Sequence, residues 1–177
     1  TILHTILAYS EIGLGHEARM GFLDISKAFD RVWHAGLLFK LKQLGFEEPV
    51  LRFIESYLSN RLQRVTIGGQ TSSWLPIEAG VPQGSILGPL LFLVYINDIT
   101  DNITCDIRLF ADDTSILESL NSNLVQIHLW GKLWRMTFNA IKSISVIFSA
   151  KRNKPDHPPL LLGYTPIPEA KIGRAHV

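Results

Sequence analysis

Apolar residues fall along the chain in blocks, and the spacing within each block predicts an element. Thr1 to about Ile12 has helical spacing, broken by Gly13 and Gly15. Met20 to Ile25 is a nearly continuous apolar run, the pattern of a buried strand, and it places Asp24 at a strand end. Lys27 to about Leu44 carries Phe29, Val32, Trp33, Leu37, Leu38 and Leu41 on one helical face, predicting one or two helices closed by Gly45. Pro49 opens another helix that runs to Leu58.

Arg61 to Ile67 and Thr71 to Ile77 read as two strands joined by a tight turn at Gly68-Gly69. A glycine-rich loop, Ala79 to Gly88, precedes a helix over Leu90 to about Thr100. Cys105 to Phe110 predicts a strand, Ala111 to Asp113 a turn, and Thr114 to Leu117 a short strand back. Asn121 is placed to cap a helix reaching about Met136. Ser143 to Ser149 alternates as a strand with Ile144, Val146 and Phe148 on one face, and Lys151 to Pro159 is a basic, proline-bearing linker. The order of elements predicts an α+β fold, a small antiparallel sheet with helices packed on one face.

Composition narrows the class. With 46% hydrophobic and 19% charged residues in 177, the chain has apolar material for a packed core and is not globally disordered. The formal charge of +1 excludes a chain-wide electrostatic footprint for nucleic acid, so such contacts must be local. Cys105 is the only cysteine and has no intramolecular disulfide partner. Without a signal-peptide pattern at the N-terminus, this predicts an intracellular setting, nucleus or cytoplasm. The most apolar stretch, Ile86 to Ile96, is about half of the ~20 residues that a membrane helix needs, so it predicts a buried helix and no membrane partner. The six histidines have no metal-ligand spacing.

The candidate chemistry lies in three acidic residues, Asp24 at a strand end and Asp112-Asp113 on a turn between two other strands. Strand ends can lie side by side, and carboxylates that converge repel one another unless a cation sits among them. A hard divalent ion such as Mg²⁺ takes oxygen ligands from carboxylates and substrate phosphates, which is the chemistry of two-metal phosphoryl transfer. Adjacent strand side chains point to opposite faces, so one of the pair is central, and Asp112 is taken as the direct ligand. The same residues also suit plain roles, Asp24 as a helix cap and the pair as a polar turn.

Three ordered motifs go further: Gly21-Phe-Leu-Asp-Ile-Ser-Lys-Ala-Phe-Asp30, Ala79-Gly-Val-Pro-Gln-Gly-Ser-Ile-Leu-Gly-Pro89 and Leu109-Phe-Ala-Asp-Asp-Thr114. Together they closely resemble the reverse transcriptases of non-LTR retrotransposons of the jockey-like kind, from Thr1 to about Ala170. The resemblance implies the palm of a right-hand polymerase, acting on an RNA template, a DNA primer and dNTPs, with remnants of the fingers.

It also implies two Mg²⁺ ions, for which Mn²⁺ can substitute, on Asp24 and Asp112, with Asp113 in support and the Ile25 carbonyl as a further ligand. Backbone N–H groups of Lys27 and Ala28, at a helix start, would receive the triphosphate. Phe29 resembles an aromatic gate against a ribose 2′-hydroxyl. Gln83 and Gly84 would support the nucleotide. Trp134-Arg-Met-Thr-Phe-Asn139 with Lys142 resembles a further motif whose lysine acts as general acid toward pyrophosphate, although Ala140 stands where the family has proline.

The resemblance implies that the chain begins inside the end of the fingers and that the thumb is missing or cut. The short stretch Thr114 to Ser119 resembles a deletion in the second strand, which would loosen Asp112. Residues 171–177, Lys-Ile-Gly-Arg-Ala-His-Val, break the resemblance and read as an adapter-derived tail, leaving 1–170 as the palm region. The expectation is a polymerase fragment that is inactive alone. The alternatives are a non-catalytic palm remnant with at most weak RNA binding, and a metal-dependent nuclease using the same carboxylates.

Overall fold

The structure is a computed structural model that describes residues 18–104, 107–110, 113–117, 120–148 and 157–170. The expected first helix, Cys105, Asp112, residues 151–156 of the expected linker and the proposed tail lie outside the described residues. The chain divides into two compact units, one built from residues up to 26, 99–132 and from 137 onward, the other from 27–98 and 133–136.

The first unit is built on a five-stranded sheet. Strand β1 (Ala18–Ile25) is central, and Leu23 and Ile25 are buried while Asp24 between them is half-buried, as two-residue alternation requires. The sheet also contains β6 (Ile107–Phe110), β7 (Asp113–Leu117), β8 (Phe138–Phe148) and β11 (Glu169–Ala170), in the order β11-β8-β1-β7-β6. All neighbours are antiparallel except β11, which lies parallel to β8. Two further short strands, β9 (Leu161–Leu162) and β10 (Thr165–Pro166), form a hairpin in the same unit.

One helix, Leu120–Leu133, supplies Leu120, Leu124 and Ile127 to the core, at i, i+4 and i+7. They pack with Leu23, Ile99, Ala140, Leu160, Leu162 and Ile167. Leu124 and Ile127 are fully buried, each contributing about 2 kcal/mol of transfer free energy. The α+β layout, with a largely antiparallel sheet, agrees with the expectation from spacing.

Two expectations in this unit are corrected. Asn121 does not cap the helix, which already begins at Leu120; its side chain instead donates to the Pro159 carbonyl at 3.2 Å and accepts from the Leu161 N–H at 3.0 Å. Strand β8 begins well before its alternation shows, at Phe138. On the polar face of that alternation Ser143 and Ser145 are fully buried with their hydroxyls bonded. Their polarity concealed them as core positions.

The second unit contains α1 (His34–Gln43), α2 (Glu48–Leu58), α3 (Leu87–Ile96) and the glycine hairpin, with α1 packed against both α2 and α3. The expected hairpin forms as two short ladders, β2 (Leu62–Gln63) with β5 (Leu75–Pro76) and β3 (Thr66–Ile67) with β4 (Gln70–Thr71). Gly68 and Gly69, at φ of 56° and 80°, make the tight turn.

Helix α3 is less buried than its composition predicts: Leu91, Phe92, Tyr95 and Ile96 are core, but Ile86 before it is 94% exposed and Leu90 and Leu93 are exposed. Lys40 is buried, its ammonium 3.7 Å from the Trp134 ring centre, donating to the Tyr95 carbonyl and paired with Asp98 at 2.5 Å. Burial pushes the Tyr95 phenol up to about 12, and its hydroxyl donates to the Trp134 carbonyl.

Candidate active site

The register of the sheet brings two of the predicted acids together. Asp24 on β1 is the direct antiparallel partner of Asp113 on β7. Directly opposed residues share a face, with Cβ atoms typically about 5 Å apart. Asp113 also pairs with Phe110 across β6 and β7, so it is a strand residue and not part of the expected turn. The physical reason is the ladder: Asp113 is held by neighbours on both sides, whereas a sequence pattern registers only a polar dipeptide. β7 pairs with β1 over five residues, Met20 to Asp24 against Leu117 to Asp113. Asp112 lies outside the described residues.

Asp24 is held from the other side by β8. The pairing runs regularly from Ala18 with Phe148 to Phe22 with Ile144, then jumps, so that Asp24 pairs with Asn139 and Ile25 with Phe138. Residues 140–143 therefore stand opposite Leu23 alone, a pronounced bulge. Hydrogen bonds within the segment brace it. The Asp24 N–H donates to the Ser143 hydroxyl at 3.1 Å, and that hydroxyl donates to the Asn139 carbonyl at 2.7 Å. The Asn139 side-chain oxygen accepts from the N–H groups of Ile141 and Lys142. Lys142 is exposed on this bulge, and Ala140, standing in the family's proline position, is buried in the core.

The remaining predicted residues belong to the second unit. The helix expected from Lys27 is only a 3-10 turn, Phe29–Arg31, and α1 starts at His34. Lys27 sits in the left-handed region at φ 51°, which is incompatible with regular helix, so the N–H groups of Lys27 and Ala28 stand at the start of a 3-10 turn and not at an α-helix N-terminus. Ala28 is buried, and Phe29 is half-buried with its ring 4.7 Å from that of Phe92.

The loop of the second motif is laced to this turn. Gly80 N–H donates to the Val32 carbonyl and Val81 N–H to the Phe29 carbonyl, both at 2.8 Å, and His34 Nε2 lies 2.8 Å from the Gly80 carbonyl. Gly80 has φ 89°, and a Cβ there would lie 2.8 Å from the Asp30 backbone. Gln83 is exposed and donates through Nε2 to Asp30 Oδ1 at 2.8 Å, while Gly84 has φ 77°.

Between turn, loop and hairpin lies a cavity of about 520 Å³. Its charged and amide lining is Lys27, Asp30, Arg31, Arg61, Gln63 and Gln83. Sequence reading found Lys27 and Gln83 but missed Asp30, Arg31, Arg61 and Gln63, as well as Ser143. Asp30 closes the first motif, so its place beside Gln83 was within reach of pattern. The hairpin residues carry no pattern of their own.

Among the described residues no group of three or more His, Cys, Asp or Glu side chains converges, and no helix is long and apolar enough to cross a membrane.

The largely antiparallel sheet with its helices has the layout of a polymerase palm, and comparison with known proteins agrees. Residues 13–165 match the reverse transcriptase (RNA-dependent DNA polymerase) family, and the chain belongs to that family. It is 40% identical over 146 residues to the RNA-directed DNA polymerase from mobile element jockey of Drosophila melanogaster, covering 72% of this chain and 16% of that protein. It is 34% identical over 171 residues to the probable RNA-directed DNA polymerase from transposon X-element of the same species, covering 86% and 18%. The chain thus spans less than a fifth of these relatives. In fold it is similar to the apo telomerase of Candida tropicalis truncated from its C-terminal domain, with a TM-score of 0.62 at 14% identity, over 86% of this chain and 36% of that one.

Proposed function

We propose that this chain carries the nucleotidyl-transfer centre of an RNA-directed DNA polymerase, which adds deoxynucleotides to a primer 3′ end on an RNA template. The observation that carries the reading is the pairing of Asp24 with Asp113 on two central strands, with Asp112 preceding the latter in sequence. A donor set of carboxylates and a backbone carbonyl suits Mg²⁺, with Mn²⁺ as a substitute. When bound, two such ions neutralise phosphate charge and activate the primer hydroxyl.

In this reading Asp24 and Asp112 hold the ions, Asp113 supports them and the Ile25 carbonyl adds an oxygen. Backbone N–H groups of Lys27 and Ala28 orient the triphosphate, the Phe29 ring excludes a 2′-hydroxyl, and Gln83 with Gly84 positions the nucleotide. Lys142 delivers a proton to the departing pyrophosphate. Residues 1–170 form the palm region.

The test is primer extension by the full-length protein containing this chain, on RNA and on DNA templates. The reading expects Mg²⁺-dependent incorporation of dNTPs on RNA, with ribonucleotides excluded. Metal-dependent cleavage of nucleic acid with no incorporation on either template would contradict it.

A further inference from the structure

The bulge in β8 places one hydroxyl where the ladder would otherwise lose its regularity, at the residue whose position matters most. Ser143 is fully buried, and its oxygen stands between the Asp24 N–H, from which it accepts, and the Asn139 carbonyl, to which it donates. One side chain thereby joins the backbone of the candidate metal ligand to the neighbouring strand across the register jump. Beyond it the ladder resumes, with Asp24 opposite Asn139 and the Ser26 N–H donating to the Thr137 carbonyl at 2.8 Å.

We propose that Ser143 is a positioning residue for Asp24, fixing the height and direction of its carboxylate through the backbone. The inference rests on the reading of Asp24 as a metal-holding acid. Three observations favour a dedicated device over an incidental core hydroxyl. The bulge is braced from within, because Asn139 Oδ1 accepts from two of its N–H groups. The Ser143 hydroxyl both donates and accepts, which leaves it no freedom to rotate. Finally, the nearby Ser145 is equally buried but bonds the Pro168 carbonyl, away from Asp24, so burial of serine in β8 does not by itself reach the acid. Bulges of this kind re-aim side chains beside active sites.

The consequence is specific. With alanine at 143 the Asp24 N–H and the Asn139 carbonyl lose their shared partner, and the strand end is free to shift. A shift on the order of 1 Å in a reacting group costs about 10²-fold in rate.

The test is amide hydrogen exchange by NMR on the 177-residue chain, native, Ser143→Ala and Ser145→Ala. The Asp24 amide is expected to be protected in the native chain, to exchange at least about tenfold faster in S143A, and to be unchanged in S145A, with the amides of Phe22 and Leu23 protected throughout. In the full-length polymerase S143A is expected to lower kcat on the order of 10-fold to 10²-fold with KM for dNTP nearly unchanged, and S145A to leave both near native.

Unchanged exchange at Asp24 in S143A, or equal acceleration in S145A, would overturn the proposal. Should S143A fail to fold, the native chain still decides, because an Asp24 amide exchanging as fast as an exposed strand end excludes the bond. Failure of the underlying reading looks different: Asp24→Asn would then leave incorporation intact while the exchange result stood.

Discussion

On the proposed function, Asp24→Asn in a protein that carries this chain over the full span of its relatives is expected to lower template-directed incorporation by at least about 10³-fold, on the order of 4 kcal/mol in transition-state stabilisation. The change removes a charge from the position that the sheet pairs with Asp113, while a side-chain amide keeps nearly the same volume. The fold is expected to survive, because what anchors this residue is its backbone: the N–H bond to Ser143 and the ladders to β7 and β8. Circular dichroism and the thermal midpoint of the variant should therefore match the native protein within a few degrees. Activity within tenfold of native, in a folded variant, would remove Asp24 from the chemistry.

Gly80→Ala is expected to destabilise the second unit by about 3 kcal/mol or more, the sum of a left-handed conformation and a steric clash. The new Cβ would meet Asp30 Cα and O at 2.8 Å and C at 2.9 Å, all backbone atoms. They cannot retreat, since the flanking bonds from Gly80 to Val32 and from Val81 to Phe29 hold the turn and the loop together. Gly45 provides the control. Its φ of 86° is nearly the same, but a Cβ at that position would meet nothing within 4 Å, so Gly45→Ala should cost only about 1 kcal/mol. Urea midpoints of the two variants separate the two contributions, and equal losses would show that the close approach of loop and turn carries no weight.

Much of this fold was legible because apolar spacing reports burial directly. The run at Met20–Ile25 and the paired glycines at 68 and 69 became the expected strand and turn. Legibility failed where polar residues hold the fold together. Ser143 and Ser145 alternate like solvent-facing residues yet are buried, and Asn121, with the composition of a cap, braces the segment at Pro159 and Leu161. Nor does any local pattern announce a positive φ at Lys27, so a helix was expected where a 3-10 turn stands.

The candidate acids were found from three ordered motifs, and their pairing required only that strand ends adjoin. The bulge that holds Asp24 was invisible, because a register jump depends on both strands at once. The cavity between turn and hairpin escaped for the same reason: Arg61 and Gln63 acquire meaning only once the loop at Gly80 is laced against Phe29 and Val32.

The divalent-ion centre proposed at the strand ends of Asp24 and Asp112-Asp113 is tested most directly by titrating Mn²⁺ into the isotope-labelled 177-residue chain, because the ion's unpaired electrons broaden nearby amide resonances. Amides of residues 23–25 and 113–114 are expected to broaden together, with one midpoint. Mg²⁺ should compete, and Asp24→Asn should abolish the effect at both strands. Broadening confined to one of the two strands, or unaltered by Asp24→Asn, would contradict a shared site.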